Sequence, residues 1–166
     1  MAGIPAALDK FDRQILAWVQ QDCRVAAETL AAQIGLSATA VQRRLRRLRE
    51  AGVIEREVAV LDPLALGLGV SVWVEVQLAV ASQQQLVDGF AARMSQVPEV
   101  QQCFYVAGPF DFLLLLRCED TGHFERLSRE LFFDQPNIRK FRSTFVLQEC
   151  KRGAALPLGR PLLADG

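Results

Sequence analysis

The sequence predicts an α+β protein: an N-terminal helix-turn-helix (winged-helix-like) domain followed by a ferredoxin-like βαββαβ sandwich. Three observations lead there. Apolar residues recur at helical spacing from Leu8 to Gly52. A tight Gly35-Leu36-Ser37 turn separates the last two helical runs of that stretch. Beyond Gly52 the pattern changes to strand-like runs interrupted by two helical stripes.

In the first part, Leu8, Phe11, Ile15 and Val19, with Leu16 and Trp18 nearby, place a helix that ends near Gln21. Leu30 and Ile34 sit four apart on a second helix, which Gly35 can close in a left-handed conformation. Ser37 offers a hydroxyl to the free amides at the start of a third helix. Val41, Leu45 and Leu48 keep one face of that helix apolar until Gly52 stops it. Residues 53–61 read as a linking strand, and Asp62-Pro63 marks a boundary.

In the second part, Val70, Val72, Val74, Val76, Leu78 and Val80 alternate with mostly smaller or polar residues, the pattern of a half-buried strand. Leu86, Phe90 and Met94 form a helical stripe. Strand-like runs follow at 100–106 and 112–118, separated by the turn-forming Ala107-Gly108-Pro109. Phe124, Leu127 and Leu131 suggest a second helix closed by Asp134-Gln135-Pro136-Asn137, and 138–149 is the last strand. The expected domains are therefore residues 1–61 and 62–152, with 153–166 as a loosely ordered tail.

Composition permits this and narrows what the chain does. Its 166 residues are 51% hydrophobic and 23% charged, enough for a packed core in one ordinary domain or two small ones. The first eight residues do not read as a signal peptide. The longest apolar run, 64–74, is interrupted by Gly67, Gly69 and Ser71 and falls short of the roughly 20 residues that span a bilayer. The expectation is a cytoplasmic protein without membrane contact. The four cysteines are widely spaced with no paired-ligand motif, and three of them sit in apolar strand-like runs, as buried reduced thiols do. No metal site and no cofactor is expected.

Net charge is zero, but its distribution is uneven: between Ser37 and Arg49 there are five arginines and no acidic residue. At about 100° per residue, the inward stripe of the third helix leaves Thr39, Arg43, Arg46 and, less squarely, Arg47 pointing outward. Gln42 and Arg49 lie on one flank and Arg44 on the other. A DNA-reading helix needs this arrangement. Its N-terminal half, opened by Ser37, presents Thr39, Gln42 and Arg43 to base edges, while Arg46, Arg47 and Arg49 can neutralise phosphates. The alternative is a solvated helix face, which normally intersperses acids with its basic residues.

Several segments resemble the Lrp/AsnC (leucine-responsive, or feast/famine) transcriptional regulators. They are the opening Leu8-Asp9-Lys10-Phe11-Asp12-Arg13-Gln14-Ile15-Leu16, the run from Leu30 to Ser37, Val41-Gln42-Arg43-Arg44-Leu45 and Leu48-Arg49-Glu50-Ala51-Gly52-Val53-Ile54. Leu61-Asp62-Pro63, the Gly108-Pro109-Phe110-Asp111 turn and Val146-Leu147-Gln148-Glu149-Cys150-Lys151 continue the likeness, which covers about residues 8–152. The resemblance implies double-stranded DNA as partner. It also implies homodimers built on the C-terminal sandwich, often assembling into octamers, with a small effector, typically an amino acid, bound between dimers. Positions resembling the family's effector-response sites are Tyr105, Gly108, Phe110 and Asp111 of the turn, Thr121, and Thr144, Phe145 and Val146. There, Asp111 could bind an ammonium, and turn amides or Thr144 a carboxylate, if the last strand lies alongside the turn. Asp111 can equally be an ordinary turn-ending acid. The family turn usually reads Gly-Asp-aromatic-Asp, and Pro109 departs from it, removing one acid and one backbone donor.

Two other functions fit the same architecture. Siroheme decarboxylases resemble it, although the lone His123 at a helix start and the lack of any Cys/His or Ser/His/Asp constellation give an enzyme little to work with. An effector-sensing protein that does not bind DNA is the second.

Overall fold

A computed structural model describes residues 7–80, 83–133, 135–153 and 155–158. The chain forms two units, one of residues up to Ala59 together with those from Lys151 onward, the other of Val60–Cys150.

The first unit holds three helices, α1 (Lys10–Val19), α2 (Ala27–Ile34) and α3 (Ala38–Glu50). Each boundary has a local cause. Asp9 accepts a hydrogen bond from the Asp12 amide at 2.8 Å while Asp12 accepts from the Asp9 amide at 3.2 Å, a reciprocal cap on α1. Gly35 ends α2 at φ 71° and ψ 38°, a left-handed conformation that glycine adopts without steric cost. The Ser37 hydroxyl accepts from the Ala40 amide at 3.2 Å and opens α3, as its position in the sequence implies. Ile15, Leu16, Leu30, Ala31, Ile34, Val41, Leu45 and Leu48 form the buried core of this unit.

The linking segment departs from expectation. Residues 53–61 form no strand of a sheet among the described residues, so the predicted linking strand is irregular backbone, with Val58 and Val60 exposed. The tail also differs. Gln20 holds Leu156 by two hydrogen bonds, its amide donating to the carbonyl at 3.1 Å and its oxygen accepting from the backbone at 2.8 Å. Leu158 packs on the three-helix core. Residues 155–158 are thus attached to the first unit; position 154 and positions 159–166 of the expected loose tail lie outside the described residues.

The second unit runs β1 (Val70–Leu78), α4 (Gln84–Met94), β2 (Val100–Tyr105), β3 (Phe112–Cys118), α5 (Thr121–Ser128) and β4 (Ile138–Phe145). Its antiparallel sheet has the order β2-β3-β1-β4. Alternation decides the two faces. Val72, Val74, Val76, Leu78, Phe112, Leu114, Leu116 and Cys118 are buried in one core with Val87, Phe90 and Met94 of α4 and Phe124 and Leu127 of α5. Trp73, Leu113 and Leu115 occupy the other face and are only half-buried. The helix α5 continues into a π-helical turn, Arg129–Phe133, whose Leu131 carbonyl accepts from the Arg93 guanidinium of α4 at 2.6 Å. Of the expected closing segment 134–137, Asp134 lies outside the described residues. No described helix is long and apolar enough to cross a membrane.

The core of the first unit makes a direct prediction. Leu48, 1% exposed, fastens the C-terminal half of α3, so Leu48→Ala should cost about 2–5 kcal/mol in urea denaturation. An unchanged midpoint would mean that α3 is not anchored there.

Candidate functional site

The inward stripe of α3 is Val41, Leu45 and Leu48, and Thr39, Gln42, Arg43, Arg46, Arg47 and Arg49 are exposed on the remaining surface. The helix therefore presents the groups expected of it. Its charge is less free than the arginine run alone suggests, because acids from other positions come to it. Arg44 is only 18% exposed in its side chain and pairs with Asp9 at 2.7 Å and Asp12 at 2.8 Å. Arg47 pairs with Asp12 at 2.5 Å. Arg46 pairs with Glu50 one turn on at 2.8 Å, and Arg49 with Glu57 at 2.7 Å. Arg43 has no ion pair among the described residues.

These pairs differ in character. Arg46 and Arg49 hold acids at the protein surface, where water competes and an exposed pair is weak. Asp12 is 1% exposed and held by the guanidiniums of both Arg44 and Arg47, so taking either away would leave a buried group short of a partner. The Asp12 amide and then the Arg44 guanidinium hold the Asp9 carboxyl below its ordinary range. Sequence reasoning missed Asp12. The Asp9-x-x-Asp12 spacing signals a reciprocal helix cap, but nothing local announces partners 32 and 35 positions away.

The positions expected to bind an effector fall into two groups at opposite ends of the sheet. Asp111 ends the turn between β2 and β3: its backbone donates to the Val76 carbonyl at 2.9 Å and its carbonyl accepts from the Val106 amide at 2.9 Å. Its carboxylate accepts from the Leu78 amide at 2.7 Å. Gly108 and Phe110 belong to the same turn, and Tyr105 packs its ring 5.2 Å from that of Phe112. Thr144 lies across from Trp73 near the other end of β1, and the Val146 amide donates to the Ser71 carbonyl. Phe145 meets Phe124 edge to face at 5.4 Å, and Thr121 opens α5 just after β3 ends at Cys118, which pairs with Val70. Trp73 and Leu78 are five positions apart on β1, about 17 Å at the usual strand rise. The expectation that Thr144 approaches the Gly108–Asp111 turn within one chain is therefore corrected. The last strand does lie alongside β1, but its antiparallel register carries Thr144 away from the turn.

The histidine and the thiols have structural surroundings. The His123 ring accepts from the Glu119 amide at 3.5 Å, and its other nitrogen lies 3.7 Å from Glu99. Burial, then the charges of Glu99 and Asp120, pushes Cys118 up to about 11, so it is a protonated thiol at neutral pH. Cys103 is half-buried, while Cys150 and Cys23 are exposed, so burial does not extend to three cysteines.

Residues 8–49 match the AsnC-type helix-turn-helix domain, and residues 71–156 match the Lrp/AsnC ligand binding domain. The chain belongs to the Lrp/AsnC family of transcriptional regulators. It is 36% identical over 151 residues to the glutamate uptake regulatory protein of Zymomonas mobilis, spanning 91% of each chain. It is 33% identical over 149 residues to the leucine-responsive regulatory protein of Salmonella typhimurium, spanning 90% of each. The crystal structure of a Neisseria meningitidis transcriptional regulator in complex with L-Met superposes with a TM-score of 0.84 at 31% identity, covering 92% of this chain and 97% of that one. The helix-turn-helix followed by a four-stranded antiparallel sheet with helices is the Lrp/AsnC fold, and the protein is a DNA-binding, ligand-modulated regulator of transcription.

Because the Asp111 carboxylate accepts from the Leu78 amide, Asp111→Ala should destabilise the protein even without any ligand. Leaving that donor unpaired should cost about 1–3 kcal/mol in chemical denaturation. Wild-type stability in the variant would show that water replaces the carboxylate at no cost.

Proposed function

We propose that α3 reads DNA sequence and that an amino acid, bound between copies of the chain, changes assembly or DNA affinity. The observation that carries the first part is the free Arg43 in the N-terminal half of α3, exposed with Thr39 on the face opposite Val41 and Leu45, with Gln42 exposed on the adjoining flank. A guanidinium not committed to a neighbour can make the two-pronged contact with a guanine edge. Arg46 and Arg49, whose surface acids a phosphate can displace, supply charge neutralisation. Ser37 acts by starting the helix and directing its amide ends toward the duplex.

The two-ended arrangement of effector positions supports a shared pocket. Within one chain, Asp111 and Thr144 stand too far apart to hold the two charges of one amino acid. Two copies can bring one chain's Tyr105–Asp111 end to another's Thr121 and Thr144–Val146 end. The L-Met complex of the Neisseria meningitidis relative supports an amino acid as the ligand class. Dimerisation through the half-buried sheet face of Trp73, Leu113 and Leu115, with Phe104 beside Leu113 and 47% exposed, supports paired α3 helices on a pseudo-palindromic site. Higher assemblies such as octamers are compatible with a pocket between dimers. The regulator reading favours the cytoplasm and leaves catalysis out: Cys118 is protonated, and His123 is engaged with Glu119 and Glu99.

The test is binding to a DNA duplex selected from random sequence. Arg43→Ala should cost about 1–3 kcal/mol on the selected site and relax base preference. Arg46→Ala should weaken all DNA alike and lower the magnitude of the salt slope by about one unit per bound helix. Wild-type binding by both variants would remove α3 from the interface.

A further inference from the structure

The acid at the start of α1 touches the recognition helix at two points, and its geometry bears on which arginines can reach DNA. We propose that Asp12 is a positioning residue for DNA binding: by holding Arg44 and Arg47 it withholds both from the phosphates. The inference rests on α3 being the DNA-reading helix.

Each carboxylate oxygen of Asp12 is occupied. Oδ1 accepts from Arg44 at 2.8 Å, and Oδ2 accepts from Arg47 at 2.5 Å and from the Asp9 amide at 3.2 Å. A carboxylate removed from water is stable only while such donors remain, and losing one leaves buried charge uncompensated. Arg44 is doubly committed, since it also donates to Asp9 and lies 5.5 Å over the Phe11 ring. Arg47 is the contested residue. Its side chain is 57% exposed, so a phosphate can approach it, but accepting that phosphate would strip Asp12 of one of its two guanidiniums. Arg46 and Arg49 face no such constraint, because the acids they would release, Glu50 and Glu57, are themselves exposed to water.

The five arginines of α3 therefore divide by the burial of their partners. Arg43 is free, Arg46 and Arg49 are exchangeable, and Arg44 and Arg47 belong to Asp12. The consequence is chemical. Phosphate contacts are sequence-independent and salt-sensitive, so withholding two cations lowers non-specific binding relative to binding that depends on base contacts. Asp12 would thus set the ratio of specific to non-specific affinity without touching DNA.

The full-length chain tests this with a selected duplex and a random-sequence duplex, each titrated over a fourfold range of salt. Arg47→Ala should leave the salt slope on both duplexes as in wild type, because Arg47 makes no phosphate contact. Asp12→Asn keeps the size of the side chain and removes its charge, freeing Arg47 while Asp9 still holds Arg44. Its slope should steepen by about 0.9 per bound helix, about a threefold larger loss of affinity over that salt range. The double variant Asp12→Asn/Arg47→Ala should return to the wild-type slope. A slope reduced by about one in Arg47→Ala overturns the proposal, even if Asp12→Asn fails to fold. So does an unchanged slope in an Asp12→Asn protein whose circular dichroism and urea midpoint are native. Arg43→Ala and Arg46→Ala separate the two levels. If neither alters binding, the DNA-reading role of α3 fails; if they do while Arg47→Ala lowers the slope, only the role of Asp12 fails.

Discussion

Burial of three side chains on one helix, Val41, Leu45 and Leu48, is the constraint from which the exposed, arginine-bearing face of α3 follows. They lie on one stripe, and the core of Ile15, Leu30 and Ile34 accepts that stripe. Once it is buried, the rotation of α3 is no longer free, and Thr39, Gln42, Arg43 and Arg46 must face away from the core. The apolar stripe sets which way the helix points; the buried Asp12 carboxylate sets which of its cations remain available. A hydrophobic term without direction and an electrostatic term with strict geometry thus act on the same helix from its inner side.

The sheet imposes a comparable restriction on the second unit. With one face buried against α4 and α5, a one-residue slip would send every apolar side chain to the wrong face, so the register is fixed. That register holds the Asp111 turn at the Val76–Leu78 end of β1 and Thr144 near the Ser71–Trp73 end. In the proposed function, that separation makes the positions that resemble one pocket two half-sites. It also makes assembly a condition of ligand binding in the proposed function, which couples the ligand to the spacing of the DNA-reading helices.

Much of this was legible in the sequence because the relevant forces are local or periodic. The Gly35 turn, the Ser37 cap and the α3 stripe each depend on a few adjacent residues. The valine alternation of β1 also appears, although the strand stops at Leu78, before Val80. What escaped is long-range. The run from Ser37 to Arg49 looks acid-free only along the chain, since Asp9, Asp12 and Glu57 come to it from elsewhere. The same limit applies to the expected approach of Thr144 to the Asp111 turn, since their distance depends on strand register. It applies again to Leu156 and Leu158, where a Gly- and Pro-rich composition suggests looseness but Gln20 supplies two hydrogen bonds. The linking segment failed differently: β-type residues at 53–61 have no described strand beside them to pair with.

The central claim, that α3 presents its uncommitted arginine to DNA, can be tested on the unmodified protein. Arginine-selective chemical labelling, mapped by mass spectrometry with and without a saturating duplex recovered by selection, reads each guanidinium separately. The account predicts that DNA shields Arg43 strongly, while Arg139 and Arg142 on β4 label alike in both states. Equal labelling of Arg43 with and without bound DNA would contradict it.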